Sequence, residues 1–273
     1  MSDAAPTPNR SPAWALGALP EIRRHVGERR PVFFLDLDGT LAPIAERPDL
    51  VELPTSTREV LERLVQEYVV CLISGRGLED LRRVVGIQSV FYAANHGHEI
   101  VGPPASGVVF EAGAEQRRVV EALADRLGEA LRLFEGAIIE NKGLSVAVHY
   151  RLVHTAERPA VKRRARGVLA DFPSVRVLQG KLVCDLLPPG AWDKGRAVIW
   201  LLERLGLGRD TACPVCLGDD LTDEDMFTAI AGWGVSVVVG GLDRPTEAVY
   251  RLADGGEVAA FLEAFAFENR GQK

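Results

Sequence analysis

The chain has 273 residues, 47% hydrophobic and 26% charged, a composition that excludes a wholly disordered polymer and leaves room for one large or two moderate domains. Its net charge of −6 argues against broad adhesion to nucleic acid or an anionic membrane. The longest apolar runs, Tyr68 to Ile73 and Val235 to Val239, are strand-sized and far short of the roughly 20 residues that span a bilayer. The opening MSDAAPTPNRSPA lacks a basic segment followed by an apolar one, so residues 1–30 read as an N-terminal arm and short helix, and the expected location is cytoplasmic.

From residue 31 the apolar run VFFLDL is followed by a helical period near Ser56 to Glu67, the run YVVCLIS, a helix near Leu78 to Val85 and the run VFYAA. This βαβαβ order predicts a parallel sheet covered on both faces. The same alternation returns with a helix near Lys194 to Leu205, the strand PVCLG, a helix over Thr222 to Ala231, the strand VSVVVG and two closing helices. Between these halves lie a helix near Ala114 to Leu133, strands near Gly136 to Glu140 and Leu144 to Tyr150, a helix near Glu157 to Asp171, and strands near Val175 to Gln179 and Leu182 to Leu187. An αββαββ order predicts a small antiparallel sheet with helices on one face.

Gly102-Pro103-Pro104 and Pro188-Pro189-Gly190 bracket that insert as hinges. The expected architecture is thus α/β: a Rossmann-like parallel-sheet core of residues 31–102 and 189–273, with an inserted α+β cap at 103–188. Of the four cysteines, Cys71, Cys184, Cys213 and Cys216, the CPVC pair falls on a predicted strand, where residues three apart face opposite ways, so it reads as packing. The basic run Lys162-Arg163-Arg164-Ala165-Arg166 reads as a solvated helix face.

The first predicted strand ends in Asp36-Leu37-Asp38-Gly39-Thr40, two carboxylates at the sheet edge where ligands of open α/β folds collect. The second ends in Ser74-Gly75-Arg76, Lys194 follows the insert in Trp192-Asp193-Lys194-Gly195, and the fourth ends in Gly218-Asp219-Asp220-Leu221-Thr222-Asp223. In this order the four strings resemble the motifs of the haloacid dehalogenase superfamily.

Chemistry of that kind needs particular groups. Asp36 can attack phosphorus and form an aspartyl phosphate, which divides one hard displacement into two easier ones. Asp38 can protonate the leaving oxygen and later take a proton from water, a role that burial among neighbouring carboxylates would favour. A phosphate dianion cannot approach so many carboxylates unless their charge is offset, and Mg²⁺, a hard ion bound by carboxylates, phosphate and water, suits the task. Ser74 and the loop N–H groups of Gly39, Thr40, Gly75 and Arg76 would supply donors, and Lys194 a positive charge, for the phosphoryl oxygens. The resemblance implies that the Asp36 carboxylate, the Asp38 carbonyl and Asp219 hold the metal, that Asp223 orients them, and that Asp220 joins either group.

Further strings narrow the resemblance to trehalose-6-phosphate phosphatases over about residues 31 to 265. They are Asn95-His96-Gly97-His98-Glu99-Ile100, Glu140-Asn141-Lys142-Gly143-Leu144-Ser145, His149-Tyr150-Arg151, Gly180-Lys181 and GDDLTDEDMF. The resemblance implies a Mg²⁺-dependent hydrolysis of trehalose 6-phosphate, with Asn95, His96, Asn141, Lys142, His149, Arg151, Lys181 and Asp185 as candidate sugar contacts. His149 also fits a packed strand position, and Lys142 and Lys181 also fit solvent-exposed turns. One string departs from the family: its usual Glu-x-Arg/Lys-Pro is here Asp185-Leu186-Leu187-Pro188. Hydrolysis of sucrose 6-phosphate or a mannosyl- or glucosylglycerate phosphate, a phosphomutase, and a non-catalytic sugar-phosphate sensor stay open beside it. The expected partner is a small sugar phosphate, with no nucleic acid or membrane, in a monomer or weak homo-oligomer.

Overall fold

The computed structural model describes residues 11–180, 182–190, 192–241 and 244–267. In chain order the elements are β1 (Ala13–Trp14), α1 (Leu19–Val26), β2 (Arg30–Leu35), α2 (Thr55–Leu64), β3 (Val69–Ile73), α3 (Leu78–Val85), β4 (Phe91–Ala94), β5 (Glu99–Val101), β6 (Val109–Glu111), α4 (Arg117–Leu131), β7 (Ile138–Asn141), β8 (Val146–His149), α5 (Arg158–Leu169), β9 (Arg176–Gly180), β10 (Val183–Leu187), α6 (Lys194–Arg204), β11 (Ala212–Gly218), α7 (Glu224–Ala229), β12 (Val235–Val239), β13 (Tyr250–Leu252) and α8 (Gly255–Phe267). They build a nine-stranded sheet of order β1-β13-β12-β11-β2-β3-β4-β5-β6 and a four-stranded sheet of order β7-β8-β10-β9.

The central strands of the large sheet are apolar on both faces because both faces are covered. In β2, Phe33 and Leu35 pack on the side of α1, α2, α3 and α8, while Val32 and Phe34 pack on the side of α6 and α7. Cys213 and Cys216 fall into these two opposite cores, as the strand period requires. Pairing is parallel from β1 to β4 and turns antiparallel at β4–β5 and β5–β6.

Several short edge elements depart from the sequence reading. Ala13 and Trp14 pair with Tyr250 and Arg251, so the end of the expected arm closes one edge of the sheet; residues 1–10 lie outside the described residues. Of the two closing helices expected, one is formed; the other stretch supplies β13, whose Tyr250 and Leu252 turn inward and whose backbone pairs with both β12 and β1. At the opposite edge β6 pairs with β5, so the chain stays in the large sheet to Glu111, past the boundary expected at 103.

The small sheet is antiparallel throughout. Val120, Leu123, Leu127 and Leu131 recur at helical spacing on α4 and pack with Val161 and Val168 of α5 against Val146, Val148 and Leu186, a third core separate from the other two. Strand alternation then sends the intervening residues to the sheet's other face. By this parity Glu140 and Lys142, His149 and Arg151, and Asp185 share one face, and they line the cleft shared with the large sheet.

Candidate active site

The chain runs from β2 to β3 on one side and, after the small sheet, returns to pair β11 on the other side of β2. Strand order reverses there, and the carboxyl ends of β11, β2 and β3 open a crevice. Asp219, Asp36 and Ser74 stand just beyond those three strand ends. A cleft between this edge and the small sheet is lined by Asp36, Asp38, Ser74, Gly75, Arg76, His96, Lys142, His149, Arg151, Asp185, Lys194, Asp219 and Asp220.

One buried ammonium organises the core side. Lys194, at the start of α6, donates to Asp36 Oδ1 and Asp223 Oδ1, both at 2.7 Å. Burial alone would strip its proton, but Asp223 and Asp36 overcome that and hold the ammonium well above its ordinary range. Burial in turn pushes the Asp36 carboxyl well up, against the pull of Lys194 and with the push of Asp223 and Asp219. Asp36, Asp219 and Asp223 each offer an oxygen within 4.8 Å of the others, a set of hard donors suited to a divalent cation. Both Asp223 oxygens already accept bonds, from Lys194 and from the Asp220 N–H at 2.9 Å. The Asp220 side chain accepts from the Leu221 N–H, and the two aspartates cap the turn after β11 reciprocally.

Gly39 makes this crowding possible. Its φ is +93°, and a Cβ there would stand 2.3 Å from Asp219 Oδ2. Thr40 is fully buried with no hydrogen-bond partner for its hydroxyl. Asp38, expected among carboxylates in a buried setting, is instead clasped by Arg76, whose Nε and Nη2 donate to its two oxygens at 2.7 Å each, and a third of its side chain stays exposed. Through Nη1, Arg76 also donates to the Pro48 carbonyl and to Asp80, one helical turn on, so all three guanidinium nitrogens are engaged by protein oxygens.

On the cap side polar side chains meet in pairs. Lys142 Nζ donates to Asp185 Oδ1 at 2.7 Å, and His149 Nε2 lies 2.8 Å from Glu140 Oε2. Burial opposes the Asp185 charge, but Lys142 and His96 hold its carboxyl well below the usual carboxylate range. His96 adopts φ +56° with its ring buried, Nε2 being 3.6 Å from Asp185, past hydrogen-bond length, and burial lowers its pKa.

Two expected sugar contacts do other work. Asn95 is fully buried, its Oδ1 accepting from Ser145 Oγ at 2.7 Å. Asn141 turns its Oδ1 onto the Gly143 N–H at 2.9 Å and shapes its own turn. Neither lines the cleft, nor do Gly39, Thr40 and Asp223, and Lys181 lies outside the described residues. Two functional neighbours are not singled out by sequence reasoning: Asp80, signalled only by its i,i+4 spacing from Arg76, and Glu140, which shares strand parity with Lys142.

This fold is shared by a haloacid dehalogenase-like hydrolase from Bacteroides thetaiotaomicron, at TM-score 0.62 and 18% identity over 86% of this chain and 98% of that one. The trehalose-phosphatase family model matches residues 34–255, and the chain belongs to that family. A probable trehalose-phosphate phosphatase D of Arabidopsis thaliana is 34% identical over 260 residues, covering 91% of this chain and 70% of its own. The C-terminal domain of C. albicans trehalose-6-phosphate phosphatase has the same fold, with TM-score 0.76 at 24% identity over 95% of this chain and 99% of that one. No described helix is long and apolar enough to cross a membrane.

Proposed function

We propose that the chain hydrolyses trehalose 6-phosphate to trehalose and phosphate through a phosphorylated Asp36. The observation that carries this reading is the opposition across one cleft of Asp36, bound by Lys194, and a face of paired polar cap residues. In the first step an Asp36 oxygen bonds to phosphorus, the bond from phosphorus to the sugar oxygen breaks, and Asp38, released from the Arg76 clasp and protonated from solvent beforehand, delivers a proton to that oxygen. In the second, water attacks phosphorus, its proton passes to Asp38, and the bond to Asp36 breaks. Lys194 holds the attacking carboxylate in place and offsets charge on the phosphoryl oxygens.

Asp36, Asp219 and the Asp38 carbonyl would hold Mg²⁺, with Asp223 fixing their orientation through Lys194 and the Asp220 turn. The bound ion would offset the charge of a phosphate dianion beside three carboxylates. The cap face, with its paired polar side chains, offers donors and acceptors suited to hydroxyls.

The test is phosphate release from trehalose 6-phosphate beside sucrose 6-phosphate, glucose 6-phosphate and mannosylglycerate phosphate, in Mg²⁺ or EDTA. Release from trehalose 6-phosphate that needs Mg²⁺ and disappears in Asp36→Asn supports the whole reading. Preference for another ester keeps the mechanism and moves the substrate, and inactivity of the folded protein on every ester removes both.

A further inference from the structure

The loop after β3 presents three consecutive carbonyls, and each one has a donor. Ser74 O accepts from the His96 N–H at 2.9 Å and Arg76 O from the Asn95 N–H at 2.7 Å, both within the core. The middle one, Gly75 O, accepts from Lys142 Nζ at 2.8 Å, a residue of the cap. The lysine is nearly buried, 6% of its side chain being exposed, and its other partner is Asp185.

Peptide planarity gives that contact a consequence. Gly75 C=O and the Arg76 N–H belong to one rigid trans unit, so fixing the carbonyl turns the N–H the opposite way. There it meets Ser74 Oγ at 3.2 Å. The His96 ring backs the loop on one side, where a Cβ on Gly75 would lie 2.6 Å from it. Beside this contact the cap docks a second time: Ser145 Oγ donates to buried Asn95 Oδ1 at 2.7 Å, and the Lys142 N–H donates to Ser145 O at 2.9 Å. The Asn95–His96 turn therefore touches the Ser74–Arg76 loop by its backbone and the cap by the Asn95 side chain.

We infer that Lys142 is a positioning residue for the Ser74–Arg76 loop: by holding Gly75 O it orients the Arg76 N–H and the Ser74 hydroxyl, so that seating of the cap and organisation of the phosphate side are one event. The inference rests on the proposed phosphatase activity, and it assigns Lys142 a role independent of any sugar hydroxyl.

p-Nitrophenyl phosphate has no sugar for Lys142 to touch, which separates the two roles. With Mg²⁺ present, Lys142→Met is expected to lower kcat/KM for p-nitrophenyl phosphate and for the sugar ester by a similar factor, about 10-fold to 100-fold. Inhibition by inorganic phosphate weakens in parallel, and amide exchange at residues 74–76 accelerates. Ser145→Ala, at a residue that does not line the cleft, gives the same pattern at smaller size. Because Lys142→Met strands Asp185, the double variant Lys142→Met/Asp185→Leu removes the buried charge and is measured alongside. Unchanged p-nitrophenyl phosphate turnover, phosphate inhibition and exchange, with loss on the sugar ester alone, overturns the inference and leaves a sugar contact. If the unaltered protein turns over no ester, the phosphatase reading fails, and the exchange comparison still decides whether Lys142 orders the loop.

Discussion

At the core edge, Asp36, Asp219 and Asp223 bring three carboxylates within 4.8 Å of one another, two of them bonded to Lys194. Across the cleft, Lys142 meets Asp185 and His149 meets Glu140. The first arrangement gathers like charges, which a bound cation would offset as a dianion approaches. The second sets donors and acceptors against one another, groups suited to hydroxyls. On the proposed reading, chemistry belongs to the first and selection to the second.

The sharpest way to break this contrast is to remove one charge from the core edge. On the proposed reading Asp36→Asn removes the attacking group, and phosphate release should fall by at least about 1,000-fold. A residual rate near that of the unaltered protein would place the nucleophile elsewhere. Lys194→Met leaves Asp36 and Asp223 buried without their cation, which should cost about 3–5 kcal/mol of stability in denaturant unfolding. An unaltered midpoint would show that the triad tolerates the loss.

A third measurement addresses the turn that joins the two regions. His98 is 2% exposed with Nδ1 2.8 Å from Asn95 O, and burial lowers its pKa to about 4. Between about 4 and about 6.5 the unfolded chain binds more protons than the folded one. The contribution is thus complete above about pH 6.5 and is lost as pH falls toward about 4, by about 3 kcal/mol. Thermal unfolding in this window should be flatter for His98→Gln, and an equal slope in both proteins excludes His98 as the source.

The smallest effect belongs to the cap face. Glu140→Gln keeps shape and weakens the pairing to His149, and KM for the sugar ester should rise about tenfold with p-nitrophenyl phosphate unaffected. A drop on both substrates would put Glu140 with the catalytic edge.

Much of this arrangement is legible in the chain because the large sheet is buried on both faces. VFFL and VVCLI are continuous apolar runs that end abruptly in Asp36 and Ser74, so strand, edge and chemistry are read together. α3 occupies Leu78–Val85 as its periodicity predicts, closed by Gly86 in the left-handed conformation. β1, β5, β6 and β13 have two or three residues each, too few to display a period, and they exist through pairing with neighbours distant in sequence. The same limit governs the site. That Asp38 would find Arg76, or that Asn95 would reach Ser145, depends on tertiary proximity that no local spacing encodes. Asn141 has a local partner as well: its amide oxygen sits two residues before a glycine N–H and caps that turn.

The seam at the middle of the large sheet joins Arg30–Leu35 to Ala212–Leu217. All four strands of the small sheet, by contrast, lie within residues 138–187. On a ribosome the whole of the small sheet is synthesised before β11, while β2 waits with one edge unpaired. At about 5–20 residues per second the interval between the two partners is roughly ten to forty seconds. An apolar strand with an open edge is a template for pairing with other chains, so the newborn protein is most vulnerable to aggregation in that interval.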